Sequence, residues 1–486
     1  MQGYGQALFR NVSAPFYIVP PEEIRNRFRR RAPEEAPPFA VQFPKSPEFN
    51  PTGAYRTTFN LPKDWKGEQV FLRFEKVASA SFVWINGQEV GYNEGAQEPA
   101  EYNVTKYLKP GKNTLAVLVL KYSDGYYLEG QDYWRLAGIF DDVTLYASSQ
   151  ARIWDWQVIT DFGPDFVDSD LSVAVTLRGF DVQGSGYQVK ATVSKDGKNV
   201  AEMNGGPVAI GPGSCQVVNL AAKVKAPEKW TAETPVLYRL DLVLRDAAGK
   251  VVDQVDKRIG FKKTEIRDGV FYLNGQPVKV SAQCSHMQHP TLGHAMTEEV
   301  IRRDMEILKQ FNFNGVRTSH YPPVNKYLDL ADEYGLYIID ETGDESHASE
   351  YASSLPAFKE MYRERVRQMV LRDRNHACVL FWSAGNESGE GENIAEVIKE
   401  ASRSIPRAIG CTAAMRPSIR PKRSWARAIR SPWSLNWVMA WIPRTCVPRS
   451  WMNMYRSPAT AAVVSTISGR SSMPIPSSWA APSGIS

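Results

Sequence analysis

Between residues 51 and 149 the apolar positions alternate or come in short runs, in EQVFLRF, SASFVWINGQEVGY and NTLAVLVLKY. Period-two alternation rich in Val, Phe and Trp predicts strands, and Asn86-Gly87 in the second segment predicts a tight hairpin. Residues 1–149 therefore read as a first β-sandwich with aromatic faces. DLSVAVTLRGF, YQVKATVSKDG and YRLDLVLRDAAG repeat the alternation at a spacing that suits a second, immunoglobulin-like sandwich over residues 150–263.

Near residue 264 the rhythm changes. VKVSA (278–282) predicts a short strand, and EEVIRRDMEILKQF (298–311) carries Val300, Ile301, Met305, Leu308 and Phe311 near helical spacing. A strand at 314–317, a helix at 324–334 and a strand at 336–340 follow. A helical stretch around 357–373, a strand at 378–383 and a helix beginning near Gly391 come next. Four β-α units in series predict part of a parallel barrel over residues 264–402, eight units being needed to close one. Residues 403–486 show neither period, so no domain is assigned to them.

Composition changes this picture at one place. The chain of 486 residues is globular in make-up, with 43% hydrophobic and 23% charged residues, and no apolar run is long enough to predict a membrane span. The opening MQGYGQALFRNVSAPF lacks the basic head and apolar middle of a signal peptide and reads as the inside of an ordered segment, so an upstream piece is expected. Five scattered cysteines have no metal or disulfide spacing and read as free thiols. The net charge of +5 hides an asymmetry. Residues 401–486 hold 11 Arg, one Lys and no acid, leaving residues 1–400 with 53 acids against 46 bases. The tail reads as a basic, aromatic surface for nucleic acid, as a disordered extension, or as the product of a shifted reading frame.

The candidate chemistry lies at the strand ends, where a barrel gathers its reactive groups. His286 and His289 follow the first strand. Arg317 and His320 close the second, and Asp340, Glu341, Asp344, Glu345 and His347 follow the third. The fourth runs LFWSAGNESG and ends in Asn386 and Glu387. An acid at the mouth of an apolar strand suits a general acid, and glycoside chemistry with retention needs a second carboxyl about 5–5.5 Å away. A lone His after a strand is more often a hydrogen-bonding core residue, and His376, in RDRNHA, reads as structural.

These stretches carry a resemblance. NESG after FWSAG, VRTSHYPP, GLYIIDETGDESH, NPTGAYRTTF, VWINGQEVGYNEG and SDGYYLEGQDYWRLAGIF together resemble the large bacterial β-galactosidases of glycoside hydrolase family 2, over residues 8 to about 400. The resemblance implies a jelly-roll sugar-binding domain, an immunoglobulin-like domain and a catalytic (β/α)8 barrel. It implies Glu387 as acid/base, with Asn386, His286, His320 and Arg317 around the sugar and the nucleophile region. It further implies Glu345, His347 and Glu387 as a magnesium site, Asn11 as a substrate contact, and Asp132 as a substrate and sodium ligand. A β-galactoside is the implied partner, with neither nucleic acid nor membrane, and family members are homo-oligomers. One departure stands out: Cys284-Ser285-His286 replaces the Asn-Arg-His of many members.

In that family the nucleophile is a Glu on a later strand, in a segment like F-M-D-E-Y, where this chain has no acid. Trp451-Met452-Asn453-Met454-Tyr455 requires UGG AUG AAY AUG UAY. Read one base earlier, the same bases force Asp then Glu, followed by Tyr or His and then Val. Asn436–Ile442 likewise becomes Leu-Gly-x-Gly-x-Asp. The expectation is a frame slip near residues 400–403, the loss of the nucleophile, a poorly supported barrel half and little hydrolase activity.

Overall fold

The structure is a computed structural model that describes residues 50–405 apart from 132, 135, 347 and 348. The first body pairs a four-stranded antiparallel sheet, in the order Thr52–Leu61, Gly111–Leu120, Ala80–Ile85, Gln88–Asn93, with a three-stranded sheet in the order Ala100–Asn103, Gln69–Phe74, Val143–Ser148. Val83, Ile85, Leu115, Val117 and Val119 of the first meet Val70, Leu72 and Phe74 of the second in one core, as the alternation predicts. Asn86 and Gly87 both take positive φ, 51° and 82°, the requirement of a two-residue primed turn.

The second body sets the strands Ala151–Phe162, Ser169–Gly179 and Cys215–Val224 against a sheet ordered Lys198–Ile210, Gly184–Lys195, Tyr238–Arg245, Val251–Ile259. Val173, Val175 and Leu177 alternate inward against Val189, Ala191, Val193, Leu240, Leu242 and Leu244.

The third body is four parallel strands in sequence order: β1 (Ala282–Ser285), β2 (Gly315–Thr318), β3 (Tyr337–Glu341) and β4 (Val379–Ser383). Helices α1 (Glu298–Gln310), α2 (Asn325–Tyr334), α3 (Lys359–Asp373) and α4 (Glu392–Ser404) alternate with them. Among the described residues β1 is bonded only to β2, and β4 only to β3. The side chain of Thr297 caps α1 at the N–H of Val300, and Gly335 ends α2 in the left-handed conformation at φ 70°. Ile301, Met305, Leu328 and Leu330 cover Val316 and Ile338.

The first barrel strand corrects the sequence reading. It spans 282–285 rather than 278–282, because the backbone just before it is bonded to a side chain. Asn314 accepts from Ser281 N at 2.7 Å and donates to Lys279 O at 2.9 Å. Val278 and Val280 still pack on the core, which is why the stretch reads as a strand. No helix among the described residues is long and apolar enough to cross a membrane.

Candidate functional site

The C-terminal ends of β2, β3 and β4 converge on Glu341, the last residue of β3. Its side chain is fully buried. Oε2 accepts from Arg317 Nε at 2.7 Å and from Ser383 Oγ at 2.5 Å, and Oε1 lies 2.6 Å from His320 Nδ1. Its own N–H donates to Thr318 Oγ1 at 2.9 Å. Burial works to raise the pKa of this carboxyl, but the His320 hydrogen bond and the Arg317 charge outweigh it and hold the group below its ordinary value. A carboxylate can only accept, so His320 carries its hydrogen on Nδ1.

The relay continues outward from Arg317. Its second terminal nitrogen donates to Asn386 Oδ1 at 3.1 Å, and Asn386 Nδ2 donates to Glu345 Oε1 at 2.7 Å. The Asn386 amide is thus oriented from both ends. Its backbone pairs with Glu345 in an isolated parallel bridge, Asn386 N donating to Asp344 O at 2.9 Å. The turn from β4 into this bridge requires Gly385, at φ 127°, where a Cβ would lie 2.6 Å from the Asp344 carbonyl oxygen. Glu387 follows at φ 44°, an uncommon conformation for a residue with a side chain. It is partly exposed, whereas Asp340, Glu341, Asp344 and Glu345 are all buried.

His286, just after β1, is held near His320, with ring centroids 5.5 Å apart and nearly perpendicular. Burial first, and then the neighbouring His320 and Arg317, push its pKa down to about 4, against the opposing pull of Glu341. The first sandwich supplies the wall opposite. Tyr133 stacks on His286 at 6.0 Å with its ring nearly parallel, and Gln131 donates to the backbone oxygen of His320 at 3.2 Å.

Most of the candidate residues are therefore brought together: His286, Arg317, His320, Glu345, Asn386 and Glu387 share one end of the sheet. His289 instead turns its Nδ1 to the N–H groups of Thr291 and Leu292 in its own loop. Asn11, Asp132 and His347 lie outside the described residues. Glu341 is visible in the sequence only as one acid of a cluster, and its signal is its place as the last residue of a strand. Arg317 faces this internal carboxylate.

Two carboxylates on bonded neighbouring segments, Glu345 and Glu387, offer the oxygen donors that a hard divalent cation prefers. A second cluster, Asp332, His376 and Cys378, lies at the opposite end of the barrel. There His376 Nδ1 meets Asp332 at 2.7 Å, its Nε2 meets Lys257 Nζ at 2.9 Å, and Asp332 also accepts from Cys378 N at 2.7 Å. Burial and the adjacent Asp332 keep the Cys378 thiol protonated. This is a hydrogen-bonded lock onto the second sandwich, in keeping with a structural His376. Cys215, Cys284 and Cys378 are free, and Cys411 and Cys446 lie outside the described residues.

Three family models match in succession: Glycosyl hydrolases family 2, sugar binding domain, over residues 34–149; Glycosyl hydrolases family 2 over 151–262; and Glycosyl hydrolases family 2, TIM barrel domain, over 264–409. The chain belongs to glycosyl hydrolase family 2. It is 37% identical over 401 residues to a β-galactosidase of Pectobacterium atrosepticum, covering 81% of this chain and 36% of that one. It is 41% identical over 365 residues to a β-galactosidase of Vibrio vulnificus, covering 73% and 35%. The chain thus spans little more than a third of the length of these curated relatives. Among solved structures, a Bacteroides uniformis β-glucuronidase is similar with a TM-score of 0.63 at 25% identity, covering 73% of this chain and 44% of that one. A Bifidobacterium dentium β-glucuronidase complexed with coumarin-3-O-glucuronide, at TM-score 0.64 and 23% identity, covers 73% and 64% and shares the fold.

Proposed function

We propose that the intact gene encodes a retaining β-galactosidase that hydrolyses terminal non-reducing β-D-galactosyl residues, with Glu387 as its acid/base. The observation that carries this reading is the exposure of Glu387 beside an Asn386 amide fixed by Arg317 and Glu345. Glu387 protonates the leaving glycosidic oxygen and later takes a proton from water. Asn386, His286, Arg317 and His320 surround the sugar ring or orient the groups that do, with Asn11 and Asp132 as further substrate contacts from the first body. The β-galactosidase relatives at 37–41% identity support galactose as the sugar over glucuronic acid.

Glu345 and Glu387, with His347, would hold Mg2+, and Asp132 would serve Na+. A bound divalent cation there supplies positive charge that favours the ionised form of the neighbouring carboxyls.

In this chain the nucleophile is lost by a shift of frame near residues 400–403, so the polypeptide turns over little substrate. The absence of any acid from residues 401–486 supports this, as does the end of the barrel-domain match at residue 409. The test assays the purified chain and the frame-restored gene product on aryl β-galactoside and aryl β-glucuronide. Turnover of the galactoside by the restored enzyme alone is expected. Clear turnover by the 486-residue chain refutes the lost nucleophile. A second reading is a non-catalytic galactoside-binding protein built on the two sandwiches; it predicts binding without hydrolysis after the frame is restored.

A further inference from the structure

Glu345 is bonded along its backbone to the first sandwich as well as to the turn that carries Asn386. Its N–H donates to Leu128 O at 2.8 Å, and its carbonyl accepts from Gly130 N. Residues 128–130, 345 and 386 thus form three short strands of a miniature parallel sheet, joined by two bridges, that crosses the boundary between the first and third bodies.

One buried side chain closes this junction. Arg365, on α3, places a guanidinium nitrogen 2.8 Å from Glu129 Oε1 and 2.8 Å from Gly343 O, and its other terminal nitrogen 3.1 Å from Glu94 O. Glu129 Oε1 also accepts from Ala96 N at 3.0 Å, so the two sandwich loops are tied to each other as well as to the barrel. Glu98 is buried beside them, with no hydrogen-bond partner on either carboxyl oxygen among the described residues. Gly343 lies between: a Cβ there would stand 2.8 Å from Glu98 Oε1 and 3.6 Å from Arg365.

We propose that Arg365 is a positioning residue: by clamping the 94–98 and 126–131 loops onto the loop ending in Glu345, it makes the seating of the first sandwich a condition for the alignment of Glu345 and Asn386. An arginine suits the task because one planar fork reaches acceptors from three segments, which a lysine ammonium cannot match in geometry. The inference deepens the glycosidase reading and rests on it for its functional meaning, while its geometry stands apart from that reading.

The test is amide hydrogen exchange on the full 486-residue chain. In Arg365→Gln the amides of Gly130, Glu345 and Asn386 are expected to exchange together, at least about tenfold faster, with Ile338 and Met369 unchanged. Arg365→Lys restores part of the protection. Retained protection at the three amides overturns the proposal, and so does loss that spreads equally through α3. If Arg365→Gln does not fold, Glu129→Ala removes the acceptor that Arg365 and Ala96 N share, with α3 intact, and decides on the same three amides. Exchange does not depend on turnover, so failure here leaves the glycosidase reading standing, and an inactive restored enzyme leaves the clamp untouched.

Discussion

His320 Nδ1 lies 2.6 Å from Glu341 Oε1, and this pair fixes the imidazole at the mouth of the barrel from a carboxylate that solvent does not reach. Glu341→Gln keeps the shape but removes the charge that Arg317 and His320 face. Breaking one partner of a buried ion pair costs about 3–5 kcal/mol. Urea titration followed by tryptophan fluorescence should show a destabilisation of that order, and a change under 1 kcal/mol would count against Glu341 as the hub.

The His286 pKa sets a pH dependence. Its folded value of about 4 lies below the 6.5 of an unfolded histidine, so the folded state holds the ring neutral. This contribution is fully present above pH 6.5 and is lost as the pH falls toward 4. The displacement corresponds to roughly 3 kcal/mol at most. Urea midpoints should fall over that window, and His286→Phe should flatten the fall.

Gly385→Ala tests the turn that Glu387 depends on. The added carbon meets the Asp344 carbonyl at 2.6 Å and must also accept φ 127°. Strain of about 1–3 kcal/mol is expected. In the frame-restored enzyme the variant should lose galactoside turnover far more than it loses melting temperature, measured side by side.

Magnesium should stabilise the folded chain if Glu345 and Glu387 bind it. A ligand at a hundred times its dissociation constant adds about 2.7 kcal/mol. Thermal melts with Mg2+ and with a chelator should separate for the parent chain and coincide for Glu345→Gln.

The sheets and helices were legible because each has a strong period, with a turn signal such as Asn86-Gly87 between strands. The strand ends were legible as a collection of polar residues behind apolar runs. Their division of labour was not. Arg317 and Glu341 are 24 residues apart and Arg317 and Asn386 are 69 apart, and only the parallel pairing of β2, β3 and β4 brings them together. The first barrel strand was misplaced for a related reason: Val278 and Val280 read as a strand, yet the Asn314 side chain holds the adjoining backbone. Nor does any local pattern mark Arg365 as different from the other arginines of α3.

The ties between the sandwiches and the barrel have a consequence for how the chain comes apart. Lys262 reaches up from the second sandwich to the carbonyls of Ala377, at 2.5 Å, and Val379, at 2.6 Å, while Arg365 holds the first sandwich at the opposite pole. Peeling either sandwich away breaks these charged hydrogen bonds together with the packing around them. The three bodies should therefore melt as one cooperative block, and a protease that finds one open will find all of them open.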